Sequence, residues 1–220
     1  VEVVPDQEQY LRDESLTVEV RITNRSGQDL RLGQGQDWLT FSIERQDGRL
    51  VPPIEPPPVE GEFTLESSMV VKRRLDLMPF FRLGEPGRYM IAAQLKITQW
   101  NQETSSKSKT FDIIRGTPIW EQQFGVPATE GVPEIRRYEL LQANNFKRLM
   151  LYLRLTDASE LKVFRVLALG QLVSFSRPEA QLDKQSNLHL LFQTGARAFA
   201  YYVINPAGET LLRQVHEYGD

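Results

Sequence analysis

The sequence predicts an all-β protein made of two antiparallel, β-sandwich-like domains in tandem, residues 1–114 and 115–220. Three observations carry that expectation. Apolar and polar residues alternate over short stretches along the whole chain, the pattern of half-buried strands. Clusters of Gly, Pro, Asn and Asp punctuate those stretches as the turns of an antiparallel sandwich do. Arg115-Gly116-Thr117-Pro118 reads as a linker, and it splits the chain into two parts of ordinary domain size.

The clearest strand lies in LGEPGRYMIAAQL, residues 83–95. Pro86-Gly87 turns into a row of Tyr89, Ile91, Ala93 and Leu95, with Arg88, Met90, Ala92, Gln94 and Lys96 facing the other way. Upstream, Ser15–Asn24 sets Leu16, Val18, Val20 and Ile22 against Thr17, Glu19, Arg21 and Thr23, then stops at Asn24-Arg25-Ser26-Gly27. Asp37–Arg45 puts Leu39, Phe41 and Ile43 in register, and Gln46-Asp47-Gly48 signals a hairpin into Arg49-Leu50-Val51. Residues 52–58 contain five prolines and read as a loop, because proline cannot donate into a ladder. Further strands are expected at Ser67–Asp76 and Lys107–Ile114.

In the second half, Ile119–Phe124 and Arg136–Gln142 flank a Pro/Gly loop, FGVPATEGVP. Asn144-Asn145 is read as a turn into Lys147–Thr156, where leucines at 149, 151, 153 and 155 alternate with Met150, Tyr152 and Arg154. Glu160–Leu169 follows, and Gly170-Gln171 reads as a two-residue hairpin turn. Leu172–Ser176, Asn187–Gln193, Ala198–Ile204 and Glu209–His216 then complete a meander, turned at Thr194-Gly195 and Asn205-Pro206-Ala207-Gly208. The best helix candidate, around Glu130–Gln142, is opposed by nearby prolines.

Composition excludes several classes of function. With 40% hydrophobic and 25% charged residues the chain can bury a sizeable core without cross-links. It has no cysteine, which removes disulfides, thiol nucleophiles and cysteine-ligated zinc together. The net charge is −3: residues 1–114 hold 14 Lys+Arg against 18 Asp+Glu (−4), and residues 115–220 hold 12 against 11 (+1). Neither half offers a basic footprint for nucleic acid. Lys72-Arg73-Arg74 reads as a solvated strand end. No apolar run approaches the roughly 20 residues of a membrane-spanning helix. The chain opens at Val1 without a methionine, which fits a targeting segment removed upstream or a cut chain. Export, periplasmic or extracellular, is the expectation.

Taken in order, LTVEVRITNRSGQDL, WLTFSIERQDGRLV and LGEPGRYMIAAQL resemble bacterial immunoglobulin-like or fibronectin-III-like domains over residues 5–114. They are also similar to the BsuPI-type protease-inhibitor sandwich. The resemblance implies an immunoglobulin-like first domain, although the cysteine pair bracketing a tryptophan in antibody domains is missing. LDKQSNLHLLFQTGARAFAYYVINPAGE resembles the central hairpins of a propeller blade in sialidase-like proteins. A propeller needs at least four blades, so a β-meander sandwich or small barrel is expected instead. Neither resemblance transfers a functional residue.

No catalytic, cofactor or metal site is expected. The two histidines, His189 and His216, have no partner at ligand spacing. Neither a G-x-S-x-G elbow nor a phosphate-binding glycine loop occurs; Gly33-Gln34-Gly35-Gln36 lacks the lysine. Asp183 and Glu209 border turns of the second meander and read as solvated acids. Candidate ligand or partner contacts are Trp100, Trp120, Tyr152, His189 and Tyr202, aromatic or polar groups placed at strand ends or opposite the main apolar rows. The expected function is a non-enzymatic structural or binding protein of the bacterial cell envelope, with a protein or glycan partner. Two alternatives stand beside it. One is a carbohydrate-binding accessory module that stacks sugars on Trp100, Trp120 or Tyr202. The other is a protease inhibitor that presents loop 52–63.

Overall fold

The computed structural model of the chain describes residues 1–59, 61–126 and 134–219. It is all-β, with several antiparallel sheets and, among the described residues, two single 3-10 turns at Met78–Phe80 and Thr98–Trp100. Its contacts divide into two compact units, Val1–Ile114 and Arg115–Asp220. Of the segments singled out in the sequence, residue 60 of loop 52–63, residues 127–133 of the Pro/Gly loop and residues 130–133 of the helix candidate lie outside the described residues.

The first unit comprises β1 (Glu2–Pro5), β2 (Gln9–Leu11), β3 (Thr17–Thr23), β4 (Leu30–Leu32), β5 (Leu39–Arg45), β6 (Leu50–Val51), β7 (Phe63–Leu65), β8 (Val70–Asp76), β9 (Gly87–Ile97), β10 (Gln102–Ser105) and β11 (Lys109–Ile114). One sheet runs β1-β3-β8; the other runs β2-β11-β9-β5-β6 with β10 also on β9; β4 and β7 form a separate pair. The β2–β11 pairing is parallel. The alternation explains the layering. Val18, Val20 and Ile22 of β3 share one core with Phe41 and Ile43 of β5 and with Tyr89, Ile91 and Leu95 of β9. Trp38 is buried in that core, and its indole N–H donates to the Val59 carbonyl at 2.6 Å. The Arg73 guanidinium lies 5.3 Å over the Trp38 ring. The proline-rich segment is thereby docked onto its own core: Pro57 and Val59 are buried and Pro53 bridges Phe81.

The second unit comprises β12 (Thr117–Val126), β13 (Glu134–Asn145), β14 (Arg148–Asp157), β15 (Val163–Gln171), β16 (Glu179–Leu182), β17 (Leu188–Gln193), β18 (Ala198–Ile204) and β19 (Thr210–Glu217). Two four-stranded antiparallel meanders result, β12-β13-β14-β15 and β16-β17-β18-β19. Tyr138, Leu140, Leu151, Leu153 and Leu155 of the first share a core with Leu188, Leu190, Phe192, Tyr202 and Ile204 of the second.

Several local expectations are corrected. Thr117 and Pro118 belong to β12 rather than to a linker, while the segment Arg136–Gln142 lies within the strand Glu134–Asn145, in line with the prolines that oppose a helix there. The hairpin after β13 turns at Phe146-Lys147, not at Asn144-Asn145, because Asn145 pairs with Arg148 across a two-residue loop. Gly170-Gln171 is not a turn. Gly170, at φ +140, sits inside β15 next to a register shift that leaves Leu169 outside the ladder. This is the work of glycine at a bulge. Leu172–Ser176 is not a strand, since here the chain crosses between sheets; the next strand begins at Glu179.

Candidate functional site

Strand alternation gives the β16–β19 sheet two distinct faces. Leu188, Leu190 and Phe192 pair with Ile204, Tyr202 and Ala200 on the buried face. His189, Leu191 and Gln193 pair with Val203, Tyr201 and Phe199 on the opposite face. All three residues of that β18 row are half-buried rather than solvated. Beyond them, β19 is exposed along its whole length, and Leu211, Leu212 and Val215 are 58%, 39% and 55% exposed. Gly208, at φ +80, closes the β18–β19 hairpin, a backbone conformation that glycine tolerates without strain. Past β19, Tyr218 meets Phe199 edge to face, with ring centres 5.7 Å apart.

A hydrogen-bond chain is built into this outer face. Asp183 accepts from the backbone N–H groups of Gln185 (2.9 Å) and Asn187 (2.8 Å) and from the Asn187 amide (2.9 Å). Those bonds, the Asn187 amide foremost, hold its carboxyl down at about 2. The fixed carboxylate lies 3.2 Å from His189 Nε2, and His189 Nδ1 lies 2.6 Å from the Tyr201 hydroxyl. An ionised Asp183 can only accept, so Nε2 carries the proton and Nδ1 of a neutral ring accepts from Tyr201. The ring and the phenol are therefore pre-oriented among Leu191, Val203 and Phe199. Chemically, this is a rigid apolar and aromatic surface with a few fixed polar atoms.

The five residues singled out in the sequence do not form one site. His189 lies in the outer face. Tyr202, expected opposite the apolar row, belongs to that row: it is 5% exposed and its hydroxyl donates to the Leu169 carbonyl at 2.7 Å. The bulge at Leu169 frees that carbonyl from the ladder. Tyr152 is 1% exposed, on the face of β14 opposite Leu151 and Leu153. Trp100 is half-buried against the first core and Trp120 against the second. Tyr201 was missed. Phe199, Tyr201 and Val203 make a row as apolar as Ala200, Tyr202 and Ile204, so the parity of β18 is ambiguous in the sequence.

Other ionisable clusters are structural. Glu14 is buried, accepts from the Leu11 N–H at 2.6 Å, and has its carboxyl pushed up by burial. Tyr10, also buried, donates to Asp6 at 2.6 Å. On the β12–β15 sheet, Arg154 contacts Glu139 at 3.3 Å and Arg137 pairs with Glu160. Among the described residues, no group of three or more His, Asp or Glu could hold a metal ion.

No family model matches the chain, and no curated protein sequence does either. Eight chains among the solved structures match. One is the YadV chaperone, 9% identical over 99% of this chain and all of that one, with a TM-score of 0.28.

Proposed function

We propose that this chain is a non-enzymatic binding protein that contacts a protein partner through the outer face of the β16–β19 sheet. One observation carries the reading. His189, Leu191, Phe199, Tyr201 and Val203 form an apolar and aromatic row with pre-set hydrogen-bonding atoms on a face directed away from the core. Protein interfaces favour such aromatic groups on rigid supports. A sugar-stacking role gets less support, because Trp100 and Trp120 pack against their own cores and Tyr152 and Tyr202 are buried. An inhibitory loop also gets less support, since Trp38 and the Pro53–Phe81 bridge tether residues 53–59. Export to the cell envelope belongs to the same proposal, and cell fractionation decides it.

The test is site-specific photocrosslinking in cells, with the probe at Leu191 or Tyr201 and a control probe at Glu19 on the outer face of β3. A discrete crosslinked protein from the first two positions and none from the third is expected. Equal crosslinking from all three positions, or binding to a glycan array that Tyr201→Ala abolishes, overturns the protein-partner reading.

A further inference from the structure

β19 is an open edge of unusual composition. Among the described residues it pairs with β18 alone, and all eight of its residues are exposed. The other long edges of the sheets carry protection against further pairing. β8 presents Lys72 and Arg74, β12 carries Pro118 and a register shift between Pro118 and Trp120, and the pairing of β15 is broken by two register shifts, one beside Gly170. β16 is only four residues long. β19 has its own register shift at Leu211, but Leu212–Glu217 beyond it pairs with β18 unbroken, has neither proline nor glycine, and exposes Leu212 on one face and Val215 on the other.

The direction of its backbone groups is fixed. The Tyr218 N–H donates to the Arg197 carbonyl at 2.9 Å, so position 218 points its backbone toward β18. In an antiparallel ladder, alternate residues point opposite ways. Arg213, Val215 and Glu217 therefore direct their N–H and C=O groups to the open edge.

We infer that β19 pairs antiparallel with β19 of a second copy of this chain, about a twofold axis through Val215. A twofold perpendicular to the sheet requires residues of equal parity to face each other. With Val215 on the axis, it meets its own mate as a hydrogen-bonded pair. Arg213 then lies opposite Glu217 of the other copy, twice by symmetry, on the same face as Val215. On the other face Leu212 meets Tyr218 and Gln214 meets His216. Centring on Arg213 instead would set two guanidinium groups against each other. The Val215 register thus combines an apolar centre, two opposite-charge pairs and two apolar–aromatic pairs. It joins two four-stranded sheets into one of eight strands. The inference rests on the edge of β19 and not on the proposal that the outer face of the sheet binds a partner.

Sedimentation equilibrium of the whole chain tests it, with circular dichroism to confirm folding. A concentration-dependent dimer is expected. Val215→Pro should abolish it while keeping the β18 ladder, because the lost N–H points away from β18. Glu217→Arg alone, which opposes like charges, should also abolish it, and adding Arg213→Glu should restore it. As the chain has no cysteine, Val215→Cys gives a single thiol on the axis. Hydrogen-bonded partners have Cα atoms about 5.5 Å apart, within disulfide range. Val215→Cys should therefore crosslink on mild oxidation. Leu211→Cys should not, since in this register its copies lie more than about 25 Å apart along the strands. A chain that stays monomeric up to about 1 mM overturns the inference, because weaker pairing falls below a specific contact. So does a dimer that survives both Val215→Pro and Glu217→Arg, or one in which Leu211→Cys crosslinks as readily as Val215→Cys.

Discussion

The two meanders of the second unit have the same connectivity and share one core, yet their other faces are built oppositely. On β12–β15 that face sets paired charges beside the buried Leu141, Ala143 and Tyr152. Arg154 touches Glu139, Arg137 pairs with Glu160, and Glu139 is buried. On β16–β19 the corresponding face holds half-buried aromatic and aliphatic side chains around His189. Their edges differ in the same sense: Pro118 and a bulge interrupt β12, whereas β19 has no proline and, past its own bulge at Leu211, Leu212–Glu217 pairs without a break. Charges paired within the chain need no countercharge from a partner. The face and edge that leave apolar groups and ladder hydrogen bonds unused are where association lowers free energy.

The sharpest way to break this comparison is to disturb the charged face. Arg154→Ala leaves the buried Glu139 carboxylate without its guanidinium, and a cost of about 3 kcal/mol is expected. Replacing both partners, Arg154→Leu with Glu139→Leu, should cost less than the single change, since no uncompensated charge remains. Urea denaturation of the three proteins measures it. A loss below about 1 kcal/mol for Arg154→Ala would place these pairs with ordinary surface salt bridges and remove the contrast between the faces.

The neighbouring tyrosines sharpen the contrast at single-residue scale. Tyr202→Phe strands the buried Leu169 carbonyl, and about 1–2 kcal/mol should be lost. Tyr201→Phe should cost less, because His189 is part-exposed and its Nδ1 can turn to water. Equal losses in thermal or urea unfolding would mean that the two faces of β18 are equally dry.

Much of the fold was legible because one face of each central strand is buried. Tyr89, Ile91, Ala93 and Leu95 of β9 lie in the core as their spacing demands, and Ala198–Ile204 was bounded correctly. Legibility failed where tertiary context decides. Gly170 reads locally as a turn residue, and only the register of β14 against β15 makes it a bulge. Trp38 lies one residue outside the Leu39 row, and its role as anchor of the proline-rich segment depends on Val59, far along the chain. The candidate site was half legible. His189 falls on the right face by simple alternation, but in β18 both rows are apolar and nothing local selects Tyr201 over Tyr202. Asp183 reads as a solvated turn acid until the turn itself shows three donors converging on it.

That turn supplies the smallest expected effect, and its sign is defined. Folding lowers the Asp183 carboxyl from 3.8 to about 2 through the Asn187 amide and the backbone N–H groups around it. A depressed folded value means the stabilisation is whole above about pH 4 and is lost as the pH falls toward 2. Asp183→Asn should therefore flatten stability against pH between those limits and bring the variant closer to the parent at the acid end. The same substitution removes the carboxylate that fixes the His189 tautomer, so the imidazole proton signals should change while those of Leu190 and Phe192 stay put. Parallel acid limbs for parent and variant would show that the charge on Asp183 contributes nothing to folding. The polar atoms of the outer face would then owe their positions to packing against Tyr201 alone.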